Sequence, residues 1–267
     1  MTRHDDPRHD RKLGTTTRRA IRWGLKGDPK LAEAPPFHKA EPPPGAETRA
    51  RAALVPGATL IESFADAPTS AMFPTELKIV ATSSEQRRRE FGTVRACARA
   101  ALASISVGAQ PILPDPDGAP RWPEGVVGSM THCAGYRAAV VARASDFLAI
   151  GLDAEPHDVL PEAARDLVVR KDERALLSGM GSRSVHWDLV IFCAKEAVYK
   201  AWFPVARRWL EFSDVRIVLD VDGAFEARVL DPHPAWASFG FFSGRWITDR
   251  DLVVAAAWAP AREGDRS

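Results

Sequence analysis

Two long stretches of the chain carry apolar residues at helical spacing. Between Ser84 and Ile105, the positions Phe91, Val94, Ala98, Leu102 and Ile105 form one stripe, which predicts a helix with that face toward a core. Between Ser184, a candidate N-cap, and Trp202, the positions Trp187, Ile191, Ala194, Val198 and Trp202 form a second stripe. Here Leu189, Phe192 and Phe203 lie opposite, so the second helix is apolar nearly all round and is expected to be enclosed.

The remaining pattern reads largely as strands. Gly125 to Ala142 predicts a strand, a turn at Gly135 and a second strand. The run Phe147-Leu148-Ala149-Ile150 predicts another, with Asp153 and Glu155 at its end. A helical pattern through Ala164, Leu167, Val168, Ala175 and Leu176 leads to a break at Gly179 and Gly181. Val215–Leu219, Ala224–Val229 and Leu252–Trp258 read as strands, with Asp222-Gly223 as a hairpin turn. The fold class is therefore α+β. Residues 1–50 mix charges with Pro35, Pro36, Pro42, Pro43 and Pro44 and lack apolar periodicity, so they are expected to form a flexible extension.

Composition narrows the function classes. The 267 residues are 45% hydrophobic, enough for one large domain or two small ones. With 36 Lys and Arg against 35 Asp and Glu, the whole-molecule charge gives no drive toward nucleic acid or a membrane surface, so any electrostatic function must be local. Cys97, Cys133 and Cys193 are widely spaced, which argues against structural zinc and a disulfide framework and fits a cytoplasmic protein. No apolar run reaches membrane-spanning length.

The candidate chemistry lies in GLDAEP (Gly151–Pro156) and CAKEAVYKAW (Cys193–Trp202). Asp153 and Glu155, two apart on a strand, point to one face and invite a cation. Glu196 and Lys200, four apart on a helix, share a face, with Lys195 on the flank. An isolated pair of that kind contributes only about 0.2–0.5 kcal/mol on a surface, but a charge among phenylalanines needs a partner, a metal or a ligand. Arg87, Arg88, Arg89, Arg95 and Arg99 line the first helix. Arg88, Arg89 and Arg99 read as solvated, while Arg87 and Arg95, beside the apolar stripe, are the candidates for an anion. His132 is left unassigned on the residues alone, since a lone His in a strand is more often a hydrogen-bonded core residue than a ligand.

Taken together, GAPRWP, VGSMTHCAGYRAAVVA, GLDAEPHDVLP and FCAKEAVYKAWFP closely resemble the surfactin-type 4′-phosphopantetheinyl transferases, in particular their actinobacterial branch, which serves fatty-acid, polyketide, nonribosomal-peptide and siderophore assembly lines. The similarity spans about residues 75 to 258. It implies a monomer of two similar α/β halves related by pseudo-twofold symmetry, residues 51–150 and 151–260, with coenzyme A and magnesium, or manganese in its place, in the cleft between them; 261–267 would be a tail. It also implies transfer of phosphopantetheine from coenzyme A to a serine of apo acyl-carrier or peptidyl-carrier proteins, with release of 3′,5′-ADP. Carried over, Asp153, Glu155 and Glu196 match the metal-binding acids, with Glu196 also the general-base candidate. Lys195 and Lys200 match the positions that contact the coenzyme A phosphates, His132 the histidine that reaches the 3′-phosphate, and Arg87 and Arg95 the arginines at the same nucleotide end. Asp117 stands where many relatives have lysine. A magnesium-dependent phosphohydrolase could use the same acids, and a non-catalytic adaptor for acidic carrier proteins would leave Asp153 and Glu155 without a purpose. A transferase built on Cys193 is disfavoured because that residue faces away from Glu196.

Overall fold

Two antiparallel sheets, each backed by a twenty-residue helix, make up the architecture. It is seen in a computed structural model that describes residues 54–180, 184–230, 239–249 and 251–261. Residues 1–50, nearly all of the expected tail and Gly181 lie outside the described residues.

The first sheet has the order β1-β3-β2, from β1 (Thr59–Ser63), β2 (Val126–Cys133) and β3 (Tyr136–Arg143). β2 and β3 form the hairpin read from the sequence, with Cys133 opposite Tyr136. After a short helix α1 (Pro74–Ile79), α2 (Glu85–Ser104) packs on this sheet. Its N-terminus is capped as the sequence suggests: Ser84 Oγ accepts from the Arg87 backbone N–H at 3.2 Å.

The second sheet has the order β4-β8-β7-β6-β5, from β4 (Phe147–Pro156), β5 (Val215–Leu219), β6 (Ala224–Val229), β7 (Phe241–Asp249) and β8 (Leu252–Pro260). Gly223, at φ +95°, makes the β5–β6 turn that Asp222-Gly223 predicts. β4 continues past Ile150 because it pairs with β8 along its length, Asp153 opposite Ala255 and Glu155 opposite Val253, so both acids lie in the last residues of the strand's pairing, as the sequence suggests. β1 and β7 were not predicted as strands; in β7 the buried residues Phe242, Gly244 and Trp246 alternate with exposed Phe241, Ser243 and Arg245.

The helical pattern over 164–176 resolves into α3 (Glu162–Val168) and α4 (Lys171–Leu177). The chain breaks between them so that the Glu173 carboxylate can accept the Arg170 backbone N–H at 2.9 Å and cap α4. Helix α5 spans Trp187–Ala206. Its N-cap is His186 rather than Ser184, and it runs past Trp202 and through Pro204 in its last turn. Arg207, in the left-handed conformation at φ 51°, ends it.

The core is stacked in layers. Cys97, Ala98, Ala101 and Leu102 of α2 meet Ala139 and Val141 on one face of the first sheet. The other face, with Ala138, Val140 and Leu60, packs on Ile150, Leu152, Ala154, Val254 and Ala256 of β4 and β8. The opposite face of these two strands, with Ala149, Val253, Ala255 and Ala257, receives α5. β4 and β8 are thus buried on both sides, which is why they read as continuous apolar runs and not as alternating strands.

Candidate active site

A glycine sets the contact between β4 and α5. A Cβ built on Gly151 would lie 1.8 Å from the Ala197 carbonyl oxygen, so only glycine lets the helix rest on the strand here. Asp153 and Glu155 share the strand face of Gly151 and Ala149, toward α5, and all three carboxylates are nearly inaccessible: Asp153 1%, Glu155 5% and Glu196 2% exposed.

Lys200 closes this seam. Its ammonium donates to Asp153 Oδ1 at 2.7 Å, to the Leu152 carbonyl at 2.7 Å and to the Met130 carbonyl at 3.4 Å. Thr131 Oγ1 donates to the same Asp153 oxygen at 3.2 Å, and Leu152 N–H donates to Ser129 Oγ at 3.0 Å. One lysine therefore ties together β2, β4 and α5. With that ammonium on Asp153, the three carboxylates are not drawn into a common centre: among the described residues, no three His, Cys, Asp or Glu side chains form a metal-holding group. By donor type the set suits a hard divalent cation, since all three candidates are carboxylates on facing elements. Cys193 is fully buried in the same helix, and burial with the charges of Asp153 and Glu155 pushes its thiol well up, which argues against a thiolate nucleophile.

Lys200 also faces a cleft of about 380 Å³. α2 contributes Arg87, Glu90 and Arg95 to its walls, β2 contributes Ser129 to His132, and α5 contributes Tyr199, Lys200 and Phe203. The loop Asp117–Pro120 and Trp209 also line it. Tyr199, Phe203 and Trp209 form an aromatic wall, with the Tyr199 and Trp209 rings edge-to-face at 4.9 Å.

Arg87, His132 and Glu90 meet at one end of this cleft. Arg87 Nη1 lies 2.7 Å from His132 Nε2, and Glu90 Oε2 faces the same nitrogen at 3.3 Å. Burial alone would raise the Glu90 carboxyl, but the hydrogen bond and charge of His132, helped by Arg137 and Gln86, hold it down at about 2. Arg95 borders the cleft but is committed to the scaffold. It donates to the Ile112 carbonyl at 2.8 Å, its guanidinium stacks 3.2 Å over the Phe91 ring, and burial pulls its pKa down to about 10 against the pull of Glu76. Arg99, expected to be solvated, instead donates to both Glu76 oxygens at 2.9 and 3.0 Å. At the loop end, Arg207 bonds Asp115 and lies 3.7 Å from Asp117, so the acid at position 117 meets the arginine that ends α5. Burial would raise the Asp115 carboxyl, but the Arg207 bond and the Ala119 and Asp117 N–H groups depress it.

Lys195 lies away from the cleft to which the resemblance assigns it. Its ammonium is fully buried, and donates to the Val168 carbonyl at 2.7 Å, Glu173 Oε2 at 2.8 Å and the Phe212 carbonyl at 3.0 Å. One residue from Glu196 means about 100° around the helix, so Lys195 points to α3, α4 and the turn before β5 and not into the cleft. Sequence reasoning missed Glu90, Thr131 and Arg207. Glu90 was open to detection, because it sits one helical turn after Arg87.

Comparison with known proteins yields two family matches in series. The 4′-phosphopantetheinyl transferase N-terminal domain matches residues 75–142, and the 4′-phosphopantetheinyl transferase superfamily matches residues 149–257. The chain is 45% identical to the 4′-phosphopantetheinyl transferase Svp of Streptomyces mobaraensis over 222 residues, covering 80% of this chain and 90% of the relative. It is 44% identical to PptT of Mycobacterium tuberculosis over 202 residues, 73% of this chain and 89% of the relative. To Npt of Nocardia iowensis it is 43% identical over 198 residues, 70% and 89%.

Proposed function

The chain belongs to the 4′-phosphopantetheinyl transferase superfamily, and on that premise we propose that its cleft binds coenzyme A and presents the diphosphate to the serine of an apo carrier protein. It is a transferase, and its products are the holo carrier protein and 3′,5′-ADP. Within the family we place it in the surfactin-type, actinobacterial branch, acting as a cytoplasmic monomer on acyl-carrier and peptidyl-carrier proteins. The two family matches meet between residues 142 and 149, which supports a division into halves at about residue 150.

The observation that carries the reading is Lys200, held on Asp153 at the wall of a cleft that also has Arg87 and His132 in its lining. In the reaction the serine oxygen forms a bond to the β-phosphorus of coenzyme A, and the bond from that phosphorus to the bridging oxygen breaks. Lys200 neutralises charge that accumulates on the leaving phosphate, and Asp153 keeps the ammonium in place for that task. Glu196, in the state in which it does not ligate a metal, accepts the serine proton directly or through a water. Arg87 and His132 receive the 3′-phosphate, for which the guanidinium fork is suited. Tyr199, Phe203 and Trp209 offer apolar surface beside these charges and exclude water. Asp153, Glu155 and Glu196, carboxylates on facing elements that do not converge as they stand, would have to close together to hold a magnesium ion, which when bound would supply charge neutralisation on the diphosphate.

The test is mass spectrometry of apo acyl-carrier and peptidyl-carrier proteins incubated with the purified chain, coenzyme A and magnesium. A phosphopantetheine mass gain is expected, and it is expected to vanish with chelator. No gain on any carrier would remove the reading, whereas a gain that survives chelator would remove only the metal.

A further inference from the structure

One acid stands where an anion is to be received. Glu90 belongs to the cleft wall with Arg87 and His132, and its side chain is 16% exposed. Both of its oxygens are engaged. Oε1 accepts from Gln86 Nε2 at 3.2 Å and faces Arg137 at 3.8 Å, while Oε2 faces His132 Nε2 at 3.3 Å and Arg87 at 3.9 Å. Arg137 is itself pinned by the Cys133 carbonyl at 2.7 Å and Asp66 at 3.1 Å, so the carboxylate is held by a fixed frame.

His132 Nε2 sits between two groups with opposite demands. A guanidinium N–H can only donate, and a carboxylate can only accept. Unprotonated, Nε2 takes the hydrogen bond of Arg87; protonated, it gives one to Glu90. The ring therefore has a partner at Nε2 in either state and keeps its place when Arg87 turns to a ligand. Arg87 is half exposed, and holding such a side chain beforehand lowers the ordering cost of binding.

We propose that Glu90 is a positioning residue which, through His132, keeps Arg87 and His132 set as a receptor for the 3′-phosphate of coenzyme A. The assignment rests on the reading that this cleft takes coenzyme A. A carboxylate near an incoming phosphate also repels it, so the two effects of Glu90 have opposite signs and can be separated by experiment.

The test is calorimetric binding of coenzyme A, 3′,5′-ADP and 3′-dephospho-coenzyme A to the full chain and to Glu90→Gln, Glu90→Asp, His132→Ala and the Glu90→Gln/His132→Ala double variant, each first checked for a cooperative melt. Glu90→Gln is expected to lower the preference for coenzyme A over its dephospho form about tenfold. Glu90→Asp keeps the charge and should recover most of that preference. On the His132→Ala background, Glu90→Gln should change it less than twofold. Tighter coenzyme A binding by Glu90→Gln would mean that repulsion is its only effect, and equal losses for both ligands would mean a scaffold role. Full additivity with His132→Ala would break the link through the imidazole. Each of these outcomes overturns the proposal. If the unaltered chain binds none of the three nucleotides, the coenzyme A reading itself falls and takes this assignment with it, a result distinct from a variant that binds without changed preference.

Discussion

Lys195 and Lys200 lie five residues apart on one helix, and each is paired at 2.7–2.8 Å with a buried carboxylate, yet they serve different ends. Lys195 is sealed inside the second half, where its ammonium satisfies two backbone carbonyls and Glu173. Removing one partner of such a pair strands the other charge, at a cost of about 3–5 kcal/mol. Lys195→Met should therefore lower unfolding free energy by about that amount in urea denaturation, and coenzyme A affinity of the folded protein should stay within about twofold by calorimetry. Asp153→Asn, which keeps shape and removes the charge that holds Lys200, should lower transfer to apo carrier protein by about a hundredfold or more, measured as the initial rate of holo-carrier formation. The sequence placed Lys195 beside Glu196 but carried no signal for α3, α4 and the Phe212 carbonyl, which come from elsewhere in the chain. His132 is the converse case. Its own residue pattern leaves it unassigned, only the family resemblance points to it, and the structure sets it 2.7 Å from Arg87, forty-five residues earlier in the chain.

At the scale of elements, α2, the β2–β3 hairpin and α5 were legible because their apolar periods are long and unbroken. What periodicity could not supply was pairing. β4 finds its partner about a hundred residues later in β8, and that pairing extends the strand to Pro156. The helical pattern between Ala164 and Leu176 hid a break, since the cap that forces it is a glutamate whose other partners, Lys195 and the Ile217 N–H, are distant in sequence. The seam of β4 and α5 yields a direct prediction. Gly151→Ala places a methyl 1.8 Å from the Ala197 carbonyl. Backbone on backbone cannot give way locally, so the helix must lift, at a cost of about 1–3 kcal/mol or more. The variant should melt several degrees lower by circular dichroism and, because Glu196 and Lys200 move with Ala197, lose turnover even at temperatures where it is fully folded.

For the whole molecule, acid is the condition that bears on both halves at once. The Glu90 carboxyl titrates at about 2 in the folded protein against an ordinary value of 4.5, and Asp115 is also depressed. A folded value below the unfolded one means that the stabilisation is complete above about pH 4.5 and is lost as pH falls toward 2. The melting temperature should therefore be flat with respect to these two groups above about pH 5 and fall steadily below it, and the fall should be shallower in Arg207→Ala, which lacks the Asp115 partner from the outset. The connection between the halves depends on the composition of the middle layer. In β4 and β8 the residues Ile150, Leu152, Val253 and Val254 stand among alanines, and the layer is thin under α5 at Ala149, Gly151, Ala255 and Ala257. A slab so thin lets one side chain from α5 span it and grasp a carbonyl of β2 on the far side. Bulkier residues at Ala255 or Ala257 would lift α5 and carry Lys200 out of reach of Met130 while the residues at the cleft's rim stayed as they are.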